Sequence, residues 1–202
     1  MPIFSLTGLH KAVRAVSLAT ITLGEFYGDN SPSTFLRLLE LRNWAQWLSL
    51  SVRKIASSYP TVEHAPDQHW CLFDIVRLSL LTYNNLVIYP LSPTNEVGIR
   101  LARDLKIALE TSIAQHPNLW IVYPRLILWA LILGGISDAA EMERRWYKHQ
   151  FRGLASSPHV FLLHWPEFEQ ILGEYLWQSN VLNDEAIKFW SECTKSDFDV
   201  RA

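Results

Sequence analysis

The feature that most constrains the fold of this chain is the repeated spacing of apolar residues at intervals of three and four. One of the clearest stripes consists of Leu41, Trp44, Ala45, Leu48, Val52 and Ile55. This spacing places side chains on one face of a helix. Sustained apolar-polar alternation and the Asn-Gly or Asp-Gly turns of hairpins are nearly absent. The sequence therefore predicts an all-α protein.

Proline, glycine and capping residues divide the chain into about eight predicted helices joined by short loops. The predicted starts are near Leu9, Ser31-Pro32, Gln68, Ser92-Pro93, Leu126, Asp138, Pro166 and Asn183. Gly134-Gly135 is expected to end the helix from Leu126, because glycine adopts the left-handed conformation that closes many helices. Without an internal repeat or a low-complexity linker, residues 1–202 are expected to form a single domain of antiparallel-packed helices.

The apolar stripes also predict which side chains are buried. The helix from Gln68 to Tyr89 is apolar nearly all round and is expected at the centre of the bundle. The run Trp120 to Ile136 is too short for a membrane span and contains Pro124 and Arg125, so a buried helix is expected. Inward-facing positions are expected to include Val97, Met142, Trp146, Ile187, Trp190 and Cys193.

Charge and cysteine content exclude several classes of function. The net charge of −2 provides no general attraction to nucleic acids or to anionic membranes. The two cysteines, Cys71 and Cys193, allow at most one disulfide, and the first residues do not resemble a secretion signal. We therefore expect an intracellular protein with no direct nucleic-acid or membrane partner.

The sequence contains no pattern of residues that is typical of catalysis or metal binding. Asp67, His69 and Cys71 lie two positions apart, a spacing that separates side chains on a helix. His159 and His164 are interpreted as polar residues of a turn, and there is no Gly-x-Ser-x-Gly elbow. We expect no catalytic residue, no metal ligand and no cofactor in this chain. A helical enzyme whose acidic groups meet only in the folded pocket is the alternative.

Two sets of residues are candidates for binding. Basic residues one helical turn apart are predicted to point outward and to contact an acidic ligand or partner, although solvation of a charged face explains them equally well. They are Arg144, Lys148 and Arg152, together with the adjacent Arg145. Two tryptophan pairs are candidates for lining an apolar pocket, with core packing as the alternative: Trp44 with Trp47, and Trp129 with Trp146.

The second half of the chain contains a set of motifs between about Trp120 and Cys193. The most specific is the Leu-Trp-Ala-Leu run that ends at Gly135, and it is followed by the acidic-aliphatic segment Phe168 to Trp177 and by Trp190-Ser-Glu192. Together these motifs resemble the C-terminal regulatory region of fungal zinc-cluster transcription factors. The motif residues, for which a structural role is implied, are Leu128, Trp129, Gly134, Gly135, Leu176, Trp177 and Trp190.

This resemblance implies a nuclear, non-enzymatic module that regulates transcription by contacting proteins or by sensing a metabolite. In the family, a DNA-binding head of six cysteines holds two zinc ions. This chain has only Cys71 and Cys193 and cannot build that head. Either the head lies upstream and zinc is expected only there, or the chain is a headless relative of the family that pairs with intact regulators. A purely structural interaction scaffold remains a further alternative.

Overall fold

The computed structural model describes residues 68–88, 96–137, 139–158, 160 and 164–194, together with Arg14 and Ile21. Over these ranges the chain forms helices joined by turns and contains no strand, which confirms the all-α class. The predicted helices near Leu9, Ser31-Pro32 and the stripe from Leu41 lie outside the described residues. The same holds for Trp44, Trp47, Asp67, Asp138 and His159.

The described segments form seven α-helices and one π-helix. They are α1 (Gln68–Tyr83), continued by the π-helix Asn84–Ile88, then α2 (Glu96–Gln115), α3 (Asn118–Val122), α4 (Pro124–Ile136), α5 (Glu141–Ala155), α6 (Trp165–Gly173) and α7 (Ser179–Thr194). The predicted end of α2 before His116-Pro117 is confirmed. Pro166 lies in the first turn of α6, as predicted for a residue without a backbone N–H.

Helix α4 forms the middle of the described core. Every residue from Ile127 to Gly135 is buried, and the helix packs against α1, α2, α5 and α7. The predicted buried helix is confirmed for Ile127 to Gly135 only. The start of the run, Ile121 to Tyr123, is exposed, and Tyr123 separates α4 from the short α3. The helix Gln68–Ile88 is long and apolar enough to span a membrane by length and composition, yet 67% of its apolar window is buried inside the protein.

Three predicted helix boundaries are wrong. Gly134 and Gly135 lie inside α4, which continues to Ile136. Helix α5 begins at Glu141 with Ala140 as its N-cap, three residues after the predicted start. Asn183 lies within α7, which begins at Ser179, and its side chain binds Trp177 and Glu169 instead of capping the helix.

Three residues that were predicted to face inward are exposed. Val97 is 45% exposed, Met142 79% and Ile187 41%. In α5 the buried stripe is Tyr147, Phe151, Leu154 and Ala155, and in α7 it is Leu182, Ala186, Phe189, Trp190 and Cys193. Met142 and Ile187 lie beside these stripes, because one residue corresponds to a rotation of about 100° around a helix. Trp190 and Cys193 are buried as predicted.

Candidate functional site

The paired glycines of α4 allow two aromatic rings to approach the helix backbone. A Cβ atom at Gly134 would lie 2.2 Å from Cζ of Tyr147, and one at Gly135 would lie 2.2 Å from Cε2 of Phe189. Both rings are fully buried. Glycine is therefore needed here for close approach of side chains, and the predicted role in ending the helix is wrong.

Tyr147 also ties α5 to α2 through its hydroxyl group. The Tyr147 O–H donates a 2.6 Å hydrogen bond to the carbonyl oxygen of Ala102. Burial raises the pKa of Tyr147 far above its ordinary value, and the charges of Glu143 and Glu110 raise it further. The phenol therefore stays protonated and keeps its role as a hydrogen-bond donor.

The motif tryptophans Trp129 and Trp177 fix the segment that follows α6. Trp129 Nε1 donates to the carbonyl oxygen of Leu176 at 3.0 Å, and its ring stacks on Tyr175 with centroids 5.7 Å apart. Trp177 Nε1 donates to Asn183 at 2.9 Å. Helix α6 ends at Gly173, so Tyr175 and Leu176 lie beyond it. Their positions instead depend on these contacts with α4 and α7.

An aromatic cluster joins α5, α6 and α7. It consists of Phe151, Trp165, Phe168, Phe189 and Trp190. Phe168 stacks on Trp190 at 5.2 Å, while Phe151 meets Phe168, Phe189 and Trp190 edge-on. With Leu128 fully buried in α4, the motif residues Leu128 and Trp190 both belong to the core.

Three of the four basic candidate residues contact α7. Lys148 Nζ lies 2.7 Å and Arg144 Nη2 lies 3.3 Å from the same carboxylate oxygen of Glu192, and Arg144 also donates to the carbonyl of Gly135. Arg152 donates from Nε to the carbonyl of Cys193 at 2.6 Å and from Nη2 to that of Glu192. A cation at this end of a helix stabilises its exposed carbonyl groups.

The predicted outward orientation of Arg144, Lys148 and Arg152 is therefore wrong. Each is only partly exposed, because the buried stripe of α5 begins at Tyr147 and turns these neighbours toward α7. Arg145 remains 76% exposed on its side chain and pairs with Glu141 at 3.0 Å. The basic residues stabilise the packing of α7, and we name Arg144, Lys148, Arg152 and Glu192 the α7 clasp.

We expect Glu192→Gln to weaken the clasp in a pH-dependent way. Burial raises the pKa of Glu192, but the hydrogen bond from Lys148 and the charge of Arg144 outweigh it and hold the pKa below its ordinary value. The stabilisation is therefore present at neutral pH and is lost as pH falls below about 4.5. Because the carboxylate is 42% exposed, the loss at pH 7 is expected to be below about 1 kcal/mol.

Urea unfolding of the wild type and of this variant at neutral and acidic pH measures the effect. The matched control is Glu185→Gln in the same helix, because Glu185 pairs only with the exposed Lys188 among the described residues. A difference between wild type and Glu192→Gln that persists unchanged at low pH would contradict the role of the charged carboxylate.

The described residues contain no group of three or more histidine, cysteine or acidic side chains that is suited to a metal ion. Cys71 is buried whereas His69 is exposed. Burial raises the pKa of the Cys193 thiol to about 12, which keeps it protonated and unreactive at neutral pH. The backbone N–H of His164 donates to Glu167 in the first turn of α6.

A cleft between α1 and α2 is the clearest concave site in the described part of the chain. Its volume is about 300 Å³, and Asp74 and Arg77 from α1 face the same space as Asp104 from α2. Neither Trp129 nor Trp146 lines it; Trp129 packs in the core, and Lys106 lies over the ring of Trp146 at 5.4 Å. Sequence reasoning missed this site, although charged residues on the apolar helix α1 were a signal.

Comparison with known proteins assigns no family to this chain. The chain matches no family model, no curated protein and no solved structure.

Proposed function

We propose that this chain is the regulatory module of a fungal transcription factor of the zinc-cluster class. It acts in the nucleus by contacting another protein or by binding a small molecule, it catalyses no reaction, and it does not bind DNA by itself. Zinc belongs to a DNA-binding head that lies upstream of it or on a partner. The proposal includes the arrangement of residues 1–202 as one domain with neighbouring helices antiparallel.

The proposal is supported by the packing of the family-motif residues within the described core. Leu128, Trp129 and Trp190 are buried, and Gly134-Gly135 accepts the rings of Tyr147 and Phe189. These residues come from helices that are distant along the sequence. This packing supports a motif that specifies the core of a helical module. Contacts with partners or ligands are then made by surface residues.

Side-chain contacts over long sequence separations support a single unit between Arg125 and Glu192. Arg125 pairs with Glu174 across 49 positions, and Trp129 binds Leu176 across 47. The α7 clasp joins α5 to α7 across 40 to 48 positions. A core held by such contacts favours one cooperative unit over separate helical hairpins.

An apolar surface at the α3–α4 junction supports the protein-contact mode. Ile121, Val122 and Tyr123 are 52%, 58% and 41% exposed and follow one another in the chain. Arg125 lies at the edge of the same surface and is engaged by Glu174. Adjacent exposed apolar residues beside charged ones are typical of surfaces that bind other proteins.

A reporter experiment tests the proposal. The full chain is fused to a heterologous DNA-binding head in a fungal reporter strain, and transcription is compared with that given by the head alone. We expect the fusion to change transcription. The double variant Ile121→Ser with Val122→Ser should weaken partner binding about tenfold or more, because apolar anchors of an interface contribute more than about 1.4 kcal/mol.

Met142→Ser is the matched control, since Met142 is also an exposed apolar residue, 79% exposed, but lies in α5. It should leave transcription unchanged. A folded fusion that has the same output as the head alone would contradict the proposed function. Equal effects of the double variant and Met142→Ser would exclude the α3–α4 surface as the contact.

A further inference from the structure

The cleft between α1 and α2 contains an arginine whose hydrogen bonds are incomplete. Arg77 has a side-chain exposure of only 12% and donates from Nε and Nη2 to the same oxygen, Oδ1 of Asp74. A guanidinium has five N–H donors, so three remain without a hydrogen bond among the described residues. Within the described part of the chain, no nitrogen of Arg77 is both buried and without a partner, so the remaining N–H groups reach solvent and can donate to an acceptor that enters the cleft.

Two carboxylates in the cleft have acceptor positions that remain open. Asp74 Oδ2 accepts no hydrogen bond among the described residues. Asp104, on the opposite helix, lies 3.8 Å from Arg100, a distance too long for a hydrogen bond, and both side chains are exposed. Asp74 and Asp104 line the same cleft as Arg77. The cleft therefore offers open donors and open acceptors to one ligand.

The remaining walls are mainly apolar, with Thr111 as a further polar residue. The other lining residues are Trp70, Cys71, Leu78, Leu81, Leu101, Ile107 and Ala108. The volume of about 300 Å³ corresponds to the lower end of the usual range for small-molecule sites, in which apolar walls surround a few polar groups that fix the orientation of the ligand. A ligand that fits is small and has an apolar part beside its charged groups.

We propose that this cleft binds an α-amino acid with an apolar side chain. The ligand carboxylate pairs with the Arg77 guanidinium, its ammonium group donates to Asp74 and Asp104, and its side chain packs against the leucine and isoleucine walls. A simple amine leaves the donors of Arg77 without an acceptor. A simple carboxylate meets two negative charges and supplies no donor to them.

Binding of an amino acid by the cleft does not depend on the function of the chain. The use of this binding to sense a metabolite rests on the proposed function. Binding is therefore measured first, on the purified chain of 202 residues. Isothermal titration calorimetry with L-leucine is expected to show saturable binding. Isoamylamine, which lacks the carboxylate of leucine, and isocaproate, which lacks its ammonium group, are each expected to bind about tenfold more weakly, because one charge-assisted hydrogen bond contributes that factor.

Two variants test the assignment of residues. Asp104→Asn lies on an exposed position and should lower the affinity for L-leucine about tenfold. It should raise the affinity for isocaproate, because the variant removes one of the two negative charges that a simple carboxylate meets. Asp184→Asn, an exposed position on α7 outside the cleft, is the control and should bind L-leucine as the wild type does. Absence of binding, equal affinity for the three probes, or unchanged binding by Asp104→Asn would overturn the proposal.

The reporter fusion separates the two proposals. A chain that binds L-leucine selectively but whose fusion has the same output as the DNA-binding head alone supports the cleft as an amino-acid site and contradicts the regulatory function. A fusion that changes transcription while the chain binds none of the three probes contradicts the amino-acid site and leaves the regulatory function standing.

Discussion

Substitution of Gly135 by alanine is expected to lower the free energy of unfolding by about 3 kcal/mol, the upper part of the range for overpacked cores. The added Cβ would lie 2.2 Å from the Phe189 ring, which is fully buried and has no solvent-exposed side toward which to move. The higher helix propensity of alanine, about 1 kcal/mol, does not offset the clash. Urea-induced unfolding followed by circular dichroism measures the change.

Gly153→Ala is the matched control for this prediction. Gly153 also lies within a helix, α5, but a Cβ there meets no atom within 4 Å. This variant should therefore be stabilised by about 0.5–1 kcal/mol. In the double variant Gly135→Ala with Phe189→Leu, the smaller leucine side chain should relieve part of the clash. The loss in the free energy of unfolding should therefore be smaller than the sum of the losses in the two single variants. Stabilisation by Gly135→Ala would show that the ring does not approach the backbone this closely.

Phe151→Ala is expected to cost about 3–5 kcal/mol, the usual range for removing a buried phenylalanine. Phe151 is 1% exposed and makes edge contacts with Phe168, Phe189 and Trp190 at centroid distances of 5.2, 5.6 and 5.9 Å. The variant loses apolar burial and leaves a cavity where α5, α6 and α7 meet. Thermal and urea unfolding should both show the loss.

The control for Phe151→Ala is Met142→Ala in the same helix. Because Met142 is 79% exposed, its truncation should change stability by less than about 0.5 kcal/mol. Phe151→Leu should lie between the two, since leucine fills most of the cavity but makes no edge contact with the rings. A loss below about 1 kcal/mol in Phe151→Ala would mean that the aromatic cluster is loosely packed.

Helix periodicity and proline positions were enough to predict the fold class and several helix ends, but not the rotation of each helix. In α5 the apolar residues Met142 and Trp146 suggested one buried face, whereas the structure buries Tyr147 and Phe151. The choice depends on the glycines of α4, which admit Tyr147. Because that gap is made by another helix, the local pattern does not contain it.

The rotation of α5 also explains why the orientation of the candidate basic residues was predicted wrongly. A rotation of this helix by one residue turns Arg144 and Lys148 toward Glu192, a partner 44 to 48 positions away. The cleft was missed for a related reason. Asp104 belongs to α2 whereas Asp74 and Arg77 belong to α1, and only the packing of these helices places the three in one site. The spacing of residues in a sequence describes one helix at a time. The α7 clasp and the cleft are each formed by two helices.

The position of α7 in the chain has a consequence for synthesis. Phe189 and Trp190 cover surfaces of α4, α5 and α6, yet the ribosome adds them after all three. A nascent chain that has reached α6 therefore still presents the groove over Gly135 and the faces of Phe151 and Phe168 to solvent. Exposed apolar surface of this kind promotes aggregation and chaperone binding, so premature termination before α7 should yield an insoluble product.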